Sequence, residues 1–207
     1  MIRVKICGIT REQDAVATVR AGADAIGLQF VETSPRRITV ERAIQLRKEI
    51  PPFVSVVGVF LNAKREDILR TVELAGLDYV QLHGDESPDF VRDLPVRTIK
   101  TLGVSTAQDI VDLDRYPADA ILLDTKVNGR CGGTGQRFDW SLLKELQTYL
   151  PIILAGGLRA ENIVEAIRTA KPQIVDVCTG VESAPGIKSF EKMREFISIV
   201  RNTNPTL

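Results

Sequence analysis

Short apolar runs rich in Val, Ile and Leu recur along the chain, each four to eight residues long and bounded by Gly, Pro or Asp. Runs of that length without polar alternation are the pattern of strands buried in a parallel sheet. Eight are predicted, at residues 3–7, 24–30, 53–59, 78–82, 96–101, 119–124, 151–155 and 174–178. After each, the apolar positions switch to helical spacing. The first helical segment begins at Thr10, placed to cap it with Gln13 as capping-box partner, runs through Ala15, Val16 and Val19, and stops at Gly22. The second carries Ala43, Ile44 and Leu46 and ends before Pro51; the third carries Ile68, Leu69, Val72 and Leu74 and ends at Gly76. A short, weak pattern lies near 87–93, and others span 106–115, 139–149, 160–170 and 188–201.

Eight strand–helix units with no break in composition predict an α/β fold, a single-domain (β/α)8 TIM barrel over residues 1–207. The alternative is an open doubly wound sheet, which carries a glycine fingerprint after its first strand. Here that strand runs into Cys7-Gly8-Ile9-Thr10, which is no such fingerprint. Ala21-Gly22-Ala23-Asp24 and Ala75-Gly76-Leu77-Asp78 resemble each other, and both read as a helix-ending glycine leading into the next strand.

Charge narrows the class of partner. Lys plus Arg is 27 and Asp plus Glu is 27, so there is no basic field of the kind that nucleic acid or an anionic membrane requires. A local pocket for one phosphate is compatible with that balance. Three cysteines, Cys7, Cys131 and Cys178, make a poor disulfide framework and point to the cytoplasm. The segment Met1 to Cys7 is too short and too charged for a signal sequence, and no apolar run reaches the ~18 residues that cross a bilayer.

Barrel enzymes place their chemistry at the C-terminal strand ends. In this chain those positions hold Cys7, Gln29, Gln81, His83, Asp124, Gly156-Gly157 and Thr179-Gly180. Cys7 fits a buried apolar cysteine. It also shares a strand face with Arg3 and Lys5, so an inward Lys5 would set positive charge below the thiol and favour thiolate, with Asp176 as the partner of that lysine. Asp124 fits an ordinary loop-start carboxylate, or a rim carboxyl whose raised pKa makes it a general acid. Gly156-Gly157 and Thr179-Gly180 follow the seventh and eighth strands, where many barrels hold phosphate on backbone N–H groups; two tight turns would look the same. The glycine-rich stretch Asn128 to Gln136 reads as a lid or as a plain loop, and Ser34-Pro35-Arg36-Arg37 as a carboxylate clamp or as surface charge. A single histidine, His83, argues against a catalytic zinc site.

Taken together, the motifs Lys5-Ile6-Cys7-Gly8-Ile9-Thr10, Gly27-Leu28-Gln29-Phe30, Ser34-Pro35-Arg36, Gln81-Leu82-His83-Gly84, Leu123-Asp124, Gly132-Gly133-Thr134-Gly135 with Phe138-Asp139-Trp140, Leu154-Ala155-Gly156-Gly157-Leu158, and Asp176-Val177 with Gly180-Val181-Glu182 resemble the phosphoribosylanthranilate isomerases of tryptophan biosynthesis. The resemblance spans nearly the whole chain. It implies an Amadori rearrangement with Cys7 as general base and Asp124 as general acid. It also implies Arg36 against the anthranilate carboxylate, phosphate at Gly156, Gly157, Thr179 and Gly180, and no cofactor or metal. Gln81 and His83 fall in its motifs and are taken as substrate-binding. The implied partner is a small phosphosugar, with the chain a monomer or homodimer. One departure stands out: the family more often has Ser-Ser-Gly where this chain has Cys178-Thr179-Gly180. Other phosphate-binding barrels fit less well. An indole-glycerol-phosphate synthase would show lysine and glutamate at strand ends, and a ribulose-phosphate epimerase histidines and aspartates for a metal. A barrel that binds a phosphosugar without turning it over remains the reading from outside enzymology.

Overall fold

The computed structural model describes residues 1–127, 130–131 and 137–203. Eight parallel strands close on themselves: β1 (Arg3–Cys7), β2 (Ala25–Gln29), β3 (Ser55–Phe60), β4 (Tyr79–Leu82), β5 (Thr98–Val104), β6 (Ala120–Val127), β7 (Ile152–Leu154) and β8 (Ile174–Val177). Each pairs with the next in sequence, and β1 pairs with β8 through Lys5↔Asp176 and Ile6↔Val177. The barrel is therefore closed, and every predicted run is one of its staves.

Helices α1 (Glu12–Ala21), α2 (Val40–Lys48), α3 (Arg65–Ala75), α4 (Pro88–Arg92), α5 (Ile163–Ala170) and α6 (Phe190–Asn202) surround it. Their buried faces meet the outward-facing Val4, Ile6, Ile26, Leu28, Ile121 and Leu123 in one continuous core. Inward-facing Val57, Ile99, Ala120, Leu122, Ile153 and Ala155 form a separate cluster inside the ring. A period-2 alternation that is apolar on both faces is why these strands read as unbroken hydrophobic runs.

Three helical expectations need correction. Thr10 does not cap α1. Arg11 occupies the cap position, and the Thr10 hydroxyl instead donates to Gly186 O at 2.7 Å. The segment at 106–115 is two 3-10 turns, Ala107–Ile110 and Leu113–Arg115, because Asp109 turns its carboxylate back onto Ser105 N and Thr106 N and Asp112 leaves helical geometry. The segment at 139–149 is a single 3-10 turn, Trp140–Leu143, whose two end residues are buried at the i, i+3 spacing that such a turn aligns. The stretch read as a lid lies outside the described residues, apart from backbone pairing of Arg130–Cys131 with the end of β6.

The Ala-Gly-x-Asp likeness belongs to a wider device. Gly22 and Gly76 end α1 and α3 at φ 93° and 63°. Asp24 and Asp78, just beyond, accept Val4 N and Val56 N at 2.6 and 2.7 Å. Asp119 accepts Thr98 N at 2.8 Å, and Gln173 accepts Ile152 N at 2.7 Å. The residue at or just before each even-numbered strand thus anchors the start of the odd-numbered strand before it. A backbone bond to a charged acceptor is worth about 1.5–3 kcal/mol. These anchors hold the N-terminal end of the barrel rigid and leave the C-terminal end for chemistry.

Candidate active site

At the C-terminal mouth the inward positions change from apolar to polar. A cavity of about 1160 Å³ opens there, and its lining includes Cys7, Arg36, Gln81, His83, Asp124, Gly156, Gly157 and Thr179. The ring closure thus gathers eight of the nine predicted site residues around one space. The ninth, Gly180, lies with Gly157 and Thr179 on a smaller neighbouring depression. A Cβ on Gly180 would sit 2.1 Å from Leu158 O, so this glycine lets the loop after β8 pack on the loop after β7.

Beneath the mouth, Lys5 is 1% exposed and bonds Asp176 at 2.9 Å across the β1–β8 pairing, as strand parity predicts. Burial pulls the ammonium pKa down, but Asp176 and then Cys7 outweigh it and hold Lys5 above its ordinary value. Removing one member of such a buried pair costs about 3–5 kcal/mol, because it strands the other charge. Room for the pair comes from Gly27 on β2, where a Cβ would lie 2.7 Å from Cys7 Sγ and 3.1 Å from Lys5 Nζ.

Lys5 favours the Cys7 thiolate, as its charge predicts, but burial outweighs it. Burial pushes the thiol up. Lys5 and Lys188 pull it down, Asp176 opposes them, and the net direction is upward. Asp124 keeps an intermediate exposure at the rim, yet desolvation raises its pKa to about 7, with Asp176 adding to the rise. Its Oδ1 accepts Thr125 N at 2.7 Å. Gly156, at φ 84°, brings the loop after β7 so close that a Cβ would be 3.0 Å from that same Oδ1. A carboxyl that holds its proton near neutrality is suited to act as an acid.

Arg36 arrives across the end of β1. Gly8, at φ 78°, makes its path possible, since a Cβ there would be 2.5 Å from the Arg36 chain and 3.1 Å from Cys178 Sγ. Its Nε and Nη2 grip Glu182 at 2.8 and 2.6 Å. That bidentate bond, first among the causes, raises the guanidinium pKa further. Glu182 begins a hairpin of β9 (Glu182–Ala184) and β10 (Ile187–Lys188), and Lys188 Nζ reaches it at 2.9 Å. Although burial opposes it, the bonds from Arg36 and then Lys188 keep the Glu182 carboxylate below its ordinary pKa. Neither Glu182's ionic role nor Lys188 was legible in the sequence. Their only signal was a charged pair flanking Pro185-Gly186, six residues apart.

On the opposite side, Gln81 Nε2 donates to Thr101 Oγ1 at 3.2 Å and lies 3.3 Å from His83 Nδ1. The Oε1 atoms of Gln29 and Gln81 are buried with no partner among the described residues. Both side chains line the cavity. Two inward-facing acceptors of this kind suit a ligand that brings hydroxyl donors. The loop that follows β4 is held by another buried ion pair, Lys100 to Glu86 at 2.6 Å, which sequence reasoning missed. Gly157 is left-handed at φ 63°, and its carbonyl accepts from Asn162 Nδ2 at 2.9 Å while Asn162 Oδ1 accepts Arg159 N at 2.9 Å. Asn162 therefore fixes the shape of the glycine loop.

Residues 4–199 match the family model described as N-(5'-phosphoribosyl)anthranilate (PRA) isomerase. A curated N-(5'-phosphoribosyl)anthranilate isomerase of Magnetococcus marinus is 48% identical over 97% of this chain and 95% of its own, and one of Acidithiobacillus ferrooxidans is 47% identical over 98% and 99%. The crystal structure of phosphoribosyl anthranilate isomerase from Thermotoga maritima superposes with a TM-score of 0.91 at 41% identity, covering 97% of this chain and 99% of that one. A second structure of the enzyme, in complex with reduced 1-(o-carboxyphenylamino)-1-deoxyribulose 5-phosphate, gives 0.87 at 39% identity, covering 97% and 99%. With motifs, ring closure and full-length similarity in agreement, this chain belongs to the N-(5'-phosphoribosyl)anthranilate isomerase family.

Proposed function

We infer that the chain is a phosphoribosylanthranilate isomerase of tryptophan biosynthesis, with Cys7 as general base and Asp124 as general acid. It converts N-(5'-phosphoribosyl)anthranilate to 1-(2-carboxyphenylamino)-1-deoxyribulose 5-phosphate. The observation that carries the assignment of roles is one cavity lined by a thiol on β1 and, from β6, a carboxyl that titrates near 7.

Protonated Asp124 gives its proton to the ribose ring oxygen, the C1–O bond breaks, and the nitrogen lone pair forms a Schiff base at C1. Cys7 thiolate then takes the proton from C2, leaving an enolamine that tautomerises to the ketone. Each acid–base role is worth about 10²–10⁴ in rate. Arg36 takes the anthranilate carboxylate. Gly156, Gly157, Thr179 and Gly180 hold the phosphate through backbone N–H groups. Gln81 and His83 line the sugar side, where the free acceptor of Gln81 suits a ribose hydroxyl.

The whole chain acts as one barrel domain in the cytoplasm on a small phosphosugar, as a monomer or homodimer. Among the described residues no helix is long and apolar enough to cross a membrane. Expression in a bacterial tryptophan auxotroph that lacks its own isomerase tests the reading. Growth without tryptophan is expected from the wild-type gene and not from Asp124→Asn. Failure of the wild-type gene, despite folded protein in the cells, would overturn it.

A further inference from the structure

Arg36 faces an electrostatic problem. Its Nε and Nη2 are already committed to Glu182 at 2.8 and 2.6 Å. An Arg–Glu pair on its own is neutral and has no net attraction for a second carboxylate. Yet the side-on grip leaves the Nη1 edge of the guanidinium uncommitted to Glu182, and Arg36 lines the cavity.

Lys188 stands behind that pair. Its side chain is fully buried, and its Nζ bonds Glu182 Oε1 at 2.9 Å and Cys178 O at 3.1 Å. Glu182 Oε1 also accepts Gly186 N at 3.2 Å. Two other charged side chains approach this corner, and neither lines the mouth. Asp14, which accepts Lys188 N at 3.2 Å, is paired with Arg11 at 2.7 Å, and Lys192 Nζ bonds the backbone Glu182 O at 2.8 Å. The cluster of Arg36, Lys188 and Glu182 thus holds two cations and one anion, leaving one positive charge that is directed at the mouth only through Arg36.

We propose that Lys188 is a specificity-determining residue: by neutralising Glu182 from behind, it leaves Arg36 with a net charge for the carboxylate on the aromatic half of the substrate. Glu182 is then a positioning residue that orients the guanidinium, and Lys188 keeps that orientation from neutralising it. The hairpin β9–β10 holds both in register through Glu182↔Lys188. This rests on Arg36 as the carboxylate clamp of the proposed function.

The test uses two stable, reduced product analogues, N-aryl-1-amino-1-deoxyribitol 5-phosphates with and without the ring carboxylate, and measures Kd by calorimetry. Lys188→Gln keeps an amide donor for Glu182 and Cys178 O but removes the charge. It should weaken the carboxylated ligand by about 10- to 100-fold, the range of one charge-assisted contact, and leave the carboxyl-free ligand unchanged. Unchanged binding of the carboxyl-free ligand also reports that the protein is folded. Glu182→Gln keeps an acceptor for Arg36 and raises the corner to two positive charges, so the preference for the carboxylated ligand should grow. Equal weakening of both ligands by Lys188→Gln, or a preference that falls in Glu182→Gln, overturns the proposal. Arg36→Ala separates the two levels. If it leaves the preference intact, the clamp itself is wrong; if it abolishes the preference while Lys188→Gln does not change it, Lys188 has no such role.

Discussion

Asp124→Asn tests the acid role through the shape of a pH profile as well as the size of a rate. The carboxyl of Asp124 titrates near 7, while burial sets the Cys7 thiol above its ordinary 9.0. The productive form has the first group protonated and the second ionised, which is the reverse of their order of ionisation. Between the two pKa values that form is a constant minor fraction of the enzyme. Below pH 7 the fraction falls tenfold per unit, because Asp124 is then already protonated in the dominant form and the productive form must still lose the thiol proton. Wild-type kcat/KM should therefore rise to a shoulder near pH 7 and stay level to above 9. In Asp124→Asn the amide can still accept Thr125 N, so the loop is kept, but there is no proton to give and no group titrating near 7. The variant should lose about 10²–10⁴ in turnover, still bind product, and show a rate that climbs through pH 7 without a shoulder. The assay is steady-state kinetics from pH 5.5 to 9.5 with product-inhibition constants. Wild-type turnover in the variant, a shoulder near 7 that survives, or a loss traced wholly to product no longer binding would refute the reasoning.

The same shift carries a stability prediction. A carboxyl whose folded pKa is raised contributes stability at low pH that is lost as pH rises through the folded value, here from about 4 to about 7. Discounted for the part of Asp124 open at the rim, Asp124→Asn should gain about 2–4 kcal/mol over wild type in urea unfolding at pH 8 and much less at pH 5. No difference between the two pH values would show that Asp124 is not desolvated. Cys7→Ser keeps the shape and offers a far poorer base; it should lose most turnover with product inhibition intact, and near wild-type turnover would remove Cys7 from the chemistry. Gly157→Val places a β-branched residue at φ 63° in the loop assigned to phosphate, and should raise KM far more than it lowers kcat. An unchanged KM in a folded variant would move the phosphate elsewhere.

The staves of the barrel were legible because parallel strands buried on both faces leave unbroken apolar runs, and each was bounded by residues that end strands. Strand parity alone placed Lys5 beside Asp176, since the side-chain alternation of β1 and β8 is fixed once the ring closes. The segments at 106–115 and 139–149 differ from the expected helices because their apolar spacing also suits short 3-10 turns, and in the first of them the carboxylate of Asp109 decides between the two by a local bond that periodicity does not record. The state of Cys7 was misjudged for a related reason. The sequence displays the charge of Lys5 but not the burial that outweighs it. Lys188 escaped notice because a lysine in a Pro-Gly hairpin reads as solvent-facing, and only the fold turns it inward onto Glu182. The Asp24 and Asp78 anchors were half visible, as a repeated glycine and aspartate whose shared task appears only across neighbouring strands.

The most direct test of the central claim follows the fluorescence of freshly formed phosphoribosylanthranilate on adding the purified chain, with wild type, Cys7→Ala and Asp124→Asn run side by side and each protein's fold checked by circular dichroism. The account predicts rapid fluorescence loss with stoichiometric appearance of the deoxyribulose 5-phosphate product in wild type, and nearly none in either folded variant. Fluorescence that persists with wild type, or falls as fast with either variant, would contradict it.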